Sequence, residues 1–221
     1  MQQMLDRGDS VVAVVRSKQR MMSLLDSKEG GYGDRLVLHE NNLLDLSHED
    51  LKSMTKDCSA VVSCLGHNLT FKGIYGKASR YLVTKATMRL TAAMPASSKF
   101  ILMGSEGVAH PDDDPRSFGD RVILALVRLL LPPHNDNEAA AAFLYENEKY
   151  DWTICRPTNL IDVDQASGRY DILAKPPGKL ISANAVSRAN VAHFMVKLMT
   201  DDQTFETYKH KTPVINTPPK E

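Results

Sequence analysis

The chain has 221 residues, 43% hydrophobic and 24% charged, enough to bury a sizeable core within one domain. Lys plus Arg and Asp plus Glu each number 27, so the formal net charge is zero and neither a nucleic-acid nor a membrane-surface partner is expected. No apolar run of membrane-spanning length and no signal peptide is seen, so an intracellular, reducing, cytoplasmic location is expected.

Met1–Arg7 reads as the last turns of a helix, closed by Gly8 as its C-terminal cap. Ser10–Arg16 is β-branched and continuously apolar, the pattern of a buried strand. Lys18–Leu25 reads as a short helix and Glu29–Asp34, with Gly30, Gly31 and Gly33, as a flexible loop. Leu36–His39 is a short strand with Asn41–Leu46 as its polar exit. Ser47-His48-Glu49-Asp50 opens a helix with an N-cap and an acidic first turn. Ala60–Leu65 is a second buried strand ending at Gly66, and Lys77–Met94 carries helical periodicity.

Phe100–Met103 then changes abruptly into Gly104-Ser105-Glu106-Gly107. An apolar run of that length, bounded by turn signals, fits a strand in the middle of a parallel sheet. Ligands of open parallel sheets sit past the carboxyl ends of the strands, which puts Ser105 and Glu106 at a rim. Pro111–Pro115, with three aspartates, reads as a solvated loop. Phe118–Leu131 is a helix apolar around most of its circumference, stopping at Pro132-Pro133. Its expected uses are core burial, a cover over a substrate site, or contact with a second subunit in a homo-oligomer. Asp136–Tyr145 is an alanine-rich helix capped by Asn135 or Asp136. Trp152–Arg156 is a strand closed by Pro157. Asn159–Lys179 is irregular, with a short strand in Gly168–Ile172. Ser187–Met199 is an amphipathic helix capped by Ser187, and the tail ends with Pro213 and Pro218-Pro219. Strands alternate with helices, without repeat or linker, so residues 1–221 are expected to form a single α/β domain with a parallel sheet. Residues from about 158 to 221 are expected to form a small C-terminal extension on the substrate side.

Several polar segments follow strand ends along one edge of that sheet: Arg16-Ser17, Asn42–Asp45, Cys64-Leu65-Gly66, Ser105, and Arg156-Pro157-Thr158-Asn159. His134 opens the alanine-rich helix at the same end. It titrates near neutral pH and is the candidate acid or base beside Ser105, with helix capping as the alternative for its cluster. Cys58, Cys64 and Cys155 have no metal-ligand spacing, and no metal site is expected. Cys64 and Cys155 lie in apolar runs and read as core residues.

Four stretches carry a family resemblance: Val11–Arg16, Ala60–Gly66, Phe100–Ser105 and Asp151–Pro157, with Ser187–Ala192 as a late helix start. In that order and spacing the chain resembles the atypical short-chain dehydrogenases. That NAD(P)-binding group includes NmrA-like regulators and flavin or biliverdin reductase B. The resemblance implies a Rossmann-like, doubly wound parallel sheet and NADP as cofactor, with NAD as the alternative. Arg16 matches the position that pairs the 2′-phosphate, with Ser17 beside it. Leu43 and Asp45 would fall near the adenine. Cys64, Leu65 and Gly66 would pass under the cofactor, and Pro157, Thr158 and Asn159 would sit by the nicotinamide. Set against that family, the first strand and its glycine-rich turn are absent, so an N-terminally truncated form is expected. The wider superfamily pairs Ser with Tyr-x-x-x-Lys. Here that spacing occurs as Tyr81…Lys85 and Tyr145…Lys149, both expected on solvated helix faces away from Ser105. The expected activity is hydride transfer to a small carbonyl or planar substrate. The alternatives are a non-catalytic dinucleotide sensor or interaction protein, and a truncated form without cofactor activity.

Overall fold

The computed structural model describes residues 1–25, 31–66, 80–130, 132–163, 165–177 and 185–218. Parts of the expected loop at 29–34 and of the expected helix at 77–94 lie outside these residues.

The N-terminal helix α1, Gln2–Arg7, ends at Gly8, whose φ of 97° is the left-handed conformation that glycine adopts without a Cβ penalty. The chain then enters β1, Val11–Val15, crosses through α2, Lys18–Ser23, and returns in β2, Leu36–Glu40. Strands β1 and β2 pair in parallel, Val11 opposite Leu36 through Val15 opposite Glu40. A 3₁₀ turn at Leu43–Asp45 leads to α3, His48–Thr55, where Ser47 and Asp50 form a reciprocal capping box. Strand β3, Ala60–Ser63, is followed by α4, Leu82–Ala93, and β4, Lys99–Met103. After β4 come α5, Phe118–Leu130, and α6, Pro132–Tyr145. Then follow β5, Trp152–Pro157, and the short strands β6, Leu160–Ile161, and β7, Asp171–Leu173. The chain closes with β8, Val186–Ser187, α7, Arg188–Thr200, α8, Asp202–Tyr208, and β9, Val214–Asn216.

The main sheet runs β3-β4-β5-β9-β7, parallel except for β7 against β9, while β1-β2 and β6-β8 form separate parallel pairs. This is the expected α/β, Rossmann-like arrangement of a mostly parallel sheet with helices on both faces. Side chains of β4 alternate between the two faces. Phe100 and Leu102 join one core with Val61, Trp152 and Ile154 under α3, α4 and α6. Ile101 joins a second core with Cys155, Ile215, Phe194 and Phe205 under α7 and α8. Burial on both faces is why this run reads as continuously apolar.

Val214–Asn216, read only as part of the tail, is a buried strand between β5 and β7, and α8 precedes it. Three residues after a proline carry too little periodicity to mark a strand. Helix α6 starts at Pro132 rather than Asp136, because proline fits the first turn, where its missing N–H is not needed.

Candidate functional site

The carboxyl ends of β1, β3, β4 and β5 carry the predicted rim residues. Arg16 is exposed just beyond β1. Ser17 caps α2, its hydroxyl accepting the Arg20 N–H at 3.2 Å. Leu43 is half-buried, packed with Val14 against the first core. Cys64, expected in the core, is exposed beyond the end of β3, because that strand stops at Ser63. Leu65 is half-buried and Gly66 exposed, with nothing within 4 Å of where a Cβ would stand. Cys155 is buried as expected.

The turn after β4 is stitched to β5. The Gly104 N–H donates to the Cys155 carbonyl at 2.8 Å and the Glu106 N–H to the Pro157 carbonyl at 3.1 Å. Ser105 Oγ accepts the Gly107 N–H at 3.2 Å. A methyl group on Gly107 would lie 3.6 Å from Ser105 Oγ and 3.3 Å from His134 Cε1. Ser105 and His134 therefore flank one point, as their sequence positions predict.

What sets His134 there differs from the expected self-capping cluster. Asp136 is wholly buried and caps α4 rather than its own helix. Its carboxylate accepts the Val83 N–H at 2.7 Å, the Thr84 N–H at 3.0 Å and the Thr84 hydroxyl at 2.6 Å. That bond set ties the first turn of α6 to the first turn of α4. His134 Nε2 stands 3.3 Å from Glu138 Oε1, one turn along the helix, and Arg128 clamps the same carboxylate at 2.6 Å. Burial pushes the His134 pKa down and the Glu138 charge only partly opposes it, which favours the neutral imidazole.

Sequence reasoning placed Glu106 and Arg156 at the rim but did not foresee their burial or the parts played by Arg116 and Asp113. Glu106 is buried, and burial raises its carboxyl pKa against the charges of Arg116 and Arg156. Arg116 donates from Nη2 to the Glu106 carbonyl. Asp113 lies in the loop read as solvated, yet its side chain is only 8% exposed and accepts both terminal nitrogens of Arg156, at 2.6 and 3.0 Å. Arg156 itself is wholly buried and also donates to the carbonyls of Thr212 and Val108, at 2.8 and 3.1 Å. The Arg-Pro at the end of β5 was the available signal, because an arginine inside an apolar strand needs a buried carboxylate.

Pro157 and Thr158 are buried, and the Thr158 N–H donates to the Ile215 carbonyl at 3.1 Å. The side chain of Asn159 is exposed. Of the two Tyr-x-x-x-Lys pairs, Tyr81 is exposed as expected. Tyr145 is not on a solvated face. Its ring packs 5.7 Å from Trp152 and 4.8 Å from His110, and burial pushes its hydroxyl up to about 12. That ring lies between Trp152, at the start of β5, and His110, and the charges of Arg156 and Asp113 reach its hydroxyl. Among the described residues no helix is long and apolar enough to cross a membrane, and no cluster could hold a metal ion.

No curated protein sequence matches the chain. Solved structures do match in fold. A Lactobacillus casei protein is 17% identical, with 98% of this chain covering 92% of that one at a TM-score of 0.71. A Streptococcus pneumoniae protein described as an NADH-flavin reductase is 16% identical, with 98% and 91% covered and a TM-score of 0.66. The anaerobilin reductase ChuY of Escherichia coli O157:H7 is 16% identical, with 99% and 90% covered and a TM-score of 0.63. Residues 1–202 match the model of a family described as NAD(P)H-binding, and the chain belongs to that family.

Proposed function

We propose that the protein is an NAD(P)H-dependent reductase, preferring NADP, of the atypical short-chain dehydrogenase group near biliverdin reductase B. The observation that carries this reading is the meeting of Ser105 and His134 at the carboxyl end of β4. Both groups exchange protons readily, and both stand at the rim where ligands of parallel sheets bind. The residues present fit the two ends of a dinucleotide. Arg16 is an exposed guanidinium suited to a 2′-phosphate, and Gly66 leaves open space for close backbone approach. Among the described residues no glycine-rich turn opens a helix, so no pyrophosphate contact is assigned.

The nicotinamide, when bound, supplies hydride. Ser105 Oγ, with one lone pair taken by the Gly107 N–H, keeps its own proton to donate to a substrate oxygen. His134, kept neutral by burial, can accept a proton from that hydroxyl or return one. Leu65, Thr158 and Asn159 would line the nicotinamide side. The reductases of Streptococcus pneumoniae and Escherichia coli share only the fold at this identity, so flavins and anaerobilin enter as the candidate substrates to assay.

Thermal unfolding with NADPH and NADH tests the reading. NADPH at a hundred times its Kd stabilises by about 2.7 kcal/mol, a rise of roughly 5–10 °C for a chain of this size. Arg16→Ala is expected to abolish the preference for NADPH over NADH. Absence of any shift with either nucleotide refutes the proposal. The burial of the Tyr145 hydroxyl, which pushes its pKa up to about 12, favours a second reading, a non-catalytic dinucleotide sensor. In that case NADPH stabilises but flavin, quinone and bilin acceptors cause no oxidation of it.

A further inference from the structure

Helix α2 covers strand β2 incompletely. Lys18 and Met22 stand one turn apart and share a face of α2. Leu36 and Leu38, two residues apart, share a face of β2. These four residues, with Tyr32 and Gly33, line a cavity of about 310 Å³ that opens to solvent. That volume is near the lower limit of pockets that hold small molecules.

The sequence accounts for the space. A helix lying on an apolar strand closes the joint with apolar side chains, but Lys18 keeps its ammonium in water and contributes only its methylene stem. Leu36 and Leu38 are therefore half-buried, and Met22 is 48% exposed. The wall at the start of β2 is fixed. Tyr32 is buried in a cluster with Leu5, Leu25 and Leu36, and its hydroxyl accepts a Gln2 amide N–H at 2.6 Å. Beside it, nothing stands within 4 Å of where a Cβ on Gly33 would lie. The cavity is also apart from the rim. Leu36 pairs with Val11 and Leu38 with Ala13, whereas Arg16 follows Val15, which pairs with Glu40. Leu36 thus lies about 13 Å along β2 from its carboxyl end.

Charge selects the occupant. Lys18 is the one charged residue of the six that line the cavity. Its backbone N–H donates to Glu40 Oε2 at 2.8 Å, while its ammonium meets no acceptor among the described residues. We propose that the cavity binds a small carboxylate with an apolar tail, such as a medium-chain fatty acid. The tail lies against Met22, Leu36 and Leu38, and the carboxylate pairs with the Lys18 ammonium, which its flexible stem carries to the mouth. This site does not rest on the reductase reading. Its failure leaves that reading untouched, and a missing thermal response to NADPH leaves this site standing.

The probe is hexanoate. Hexan-1-ol keeps the tail and lacks the charge, and acetate keeps the charge and lacks the tail. Methyl NMR of the whole protein follows Met22, Leu36 and Leu38, with the buried Leu198 of the second core as reference. Hexanoate is expected to bind with a Kd of roughly millimolar order. At low ionic strength hexan-1-ol should bind about fivefold more weakly, and the gap should close as salt screens the ion pair. Lys18→Met should weaken hexanoate by a similar factor and leave hexan-1-ol no weaker. Met22→Glu, one turn from Lys18, sets a competing carboxylate beside the ammonium and should weaken hexanoate at least as much. Both substitutions fall at exposed positions, so the fold is kept. Acetate should move none of the three methyls. The proposal is overturned by equal affinity for hexanoate and hexan-1-ol, or by hexanoate binding unchanged in either variant. It is overturned equally by acetate shifts at these methyls, by a Leu198 response as large as that of Leu36, or by no saturable shift with hexanoate.

Discussion

Arg156 is fully committed to the fold. Every nitrogen of its guanidinium bonds within the fold, two of them to Asp113, so it holds the 108–113 segment and the segment before β9 against the end of β5. Removing one partner of such a pair strands the other. Arg156→Met is expected to destabilise by about 3–5 kcal/mol, and Asp113→Asn by less, since the amide keeps one acceptor. Burial alone would raise the Asp113 carboxyl, but the hydrogen bonds and charge of Arg156 outweigh it and hold it below its usual value. A depressed carboxyl stabilises the fold above its unfolded value. That contribution is lost as pH falls from about 4 through the folded value. Chemical denaturation from pH 6 downward should show this acid limb in the wild type and a flatter one in Asp113→Asn. Glu106 has the opposite sign. Its raised carboxyl favours the fold when protonated, and that contribution fades as pH rises through the folded value. Glu106→Gln is therefore expected to melt above the wild type at pH 7 and level with it near pH 4.

Among the elements, α6 does the most to build the rim, and it does so through a bond that sequence could not display. Asp136 caps another helix through Val83, 53 residues earlier, so the pairing is invisible to any local motif. Asp136→Ala removes an N-cap and leaves two N–H groups unmet, a cost of about 2 kcal/mol, whereas Asp136→Asn should lose less. If His134 owes its position to that cap, its ring NMR signals should broaden or move in Asp136→Ala while those of His39 and His193 stay. Local patterns did make much of the fold legible. Apolar runs marked β1, β3, β4 and β5, and the caps at Ser47 and Ser187 marked α3 and α7. The illegible part was the set of contacts that join distant segments: Asp113 with Arg156, Asp136 with α4, and β9 within the sheet. Ser105 and His134 were readable because each sits at a terminus that topology alone brings to one edge. Glu106 was placed at the rim as well, but its burial and that of Asp113 were not legible, because a buried and a solvated carboxylate look alike in a sequence.

At the scale of the molecule, α5 presents Phe118, Val122 and Leu126 to solvent, 80%, 44% and 51% exposed, one turn apart along a single stripe. The helix is thus only partly used by the core, with Leu124 buried on its other side. A second copy of the chain across this stripe is the homo-oligomer that the apolar pattern suggests. Sedimentation of the wild type and Phe118→Glu tests it, with a lower mass expected in the variant. Melting should change little, because a side chain so exposed contributes at most about 0.5 kcal/mol to the monomer fold.

The pair β1-β2 exchanges ladder hydrogen bonds with no other strand among the described residues. It is held to the rest through side chains and helices. Gln3 reaches the Ala189 carbonyl at 2.9 Å, and the Arg89 guanidinium reaches the carbonyls of Leu44 and Leu46. Few cross-links of that kind make a cooperative unit of its own. Amide hydrogens of Val11–Val15 should therefore exchange through a partial opening, well before those of Phe100–Met103, which wait for global unfolding. A ligand that touches Arg16 and Ser105 together would bridge two such units. Its binding should register first as slowed exchange in β1, far from the atoms where chemistry takes place.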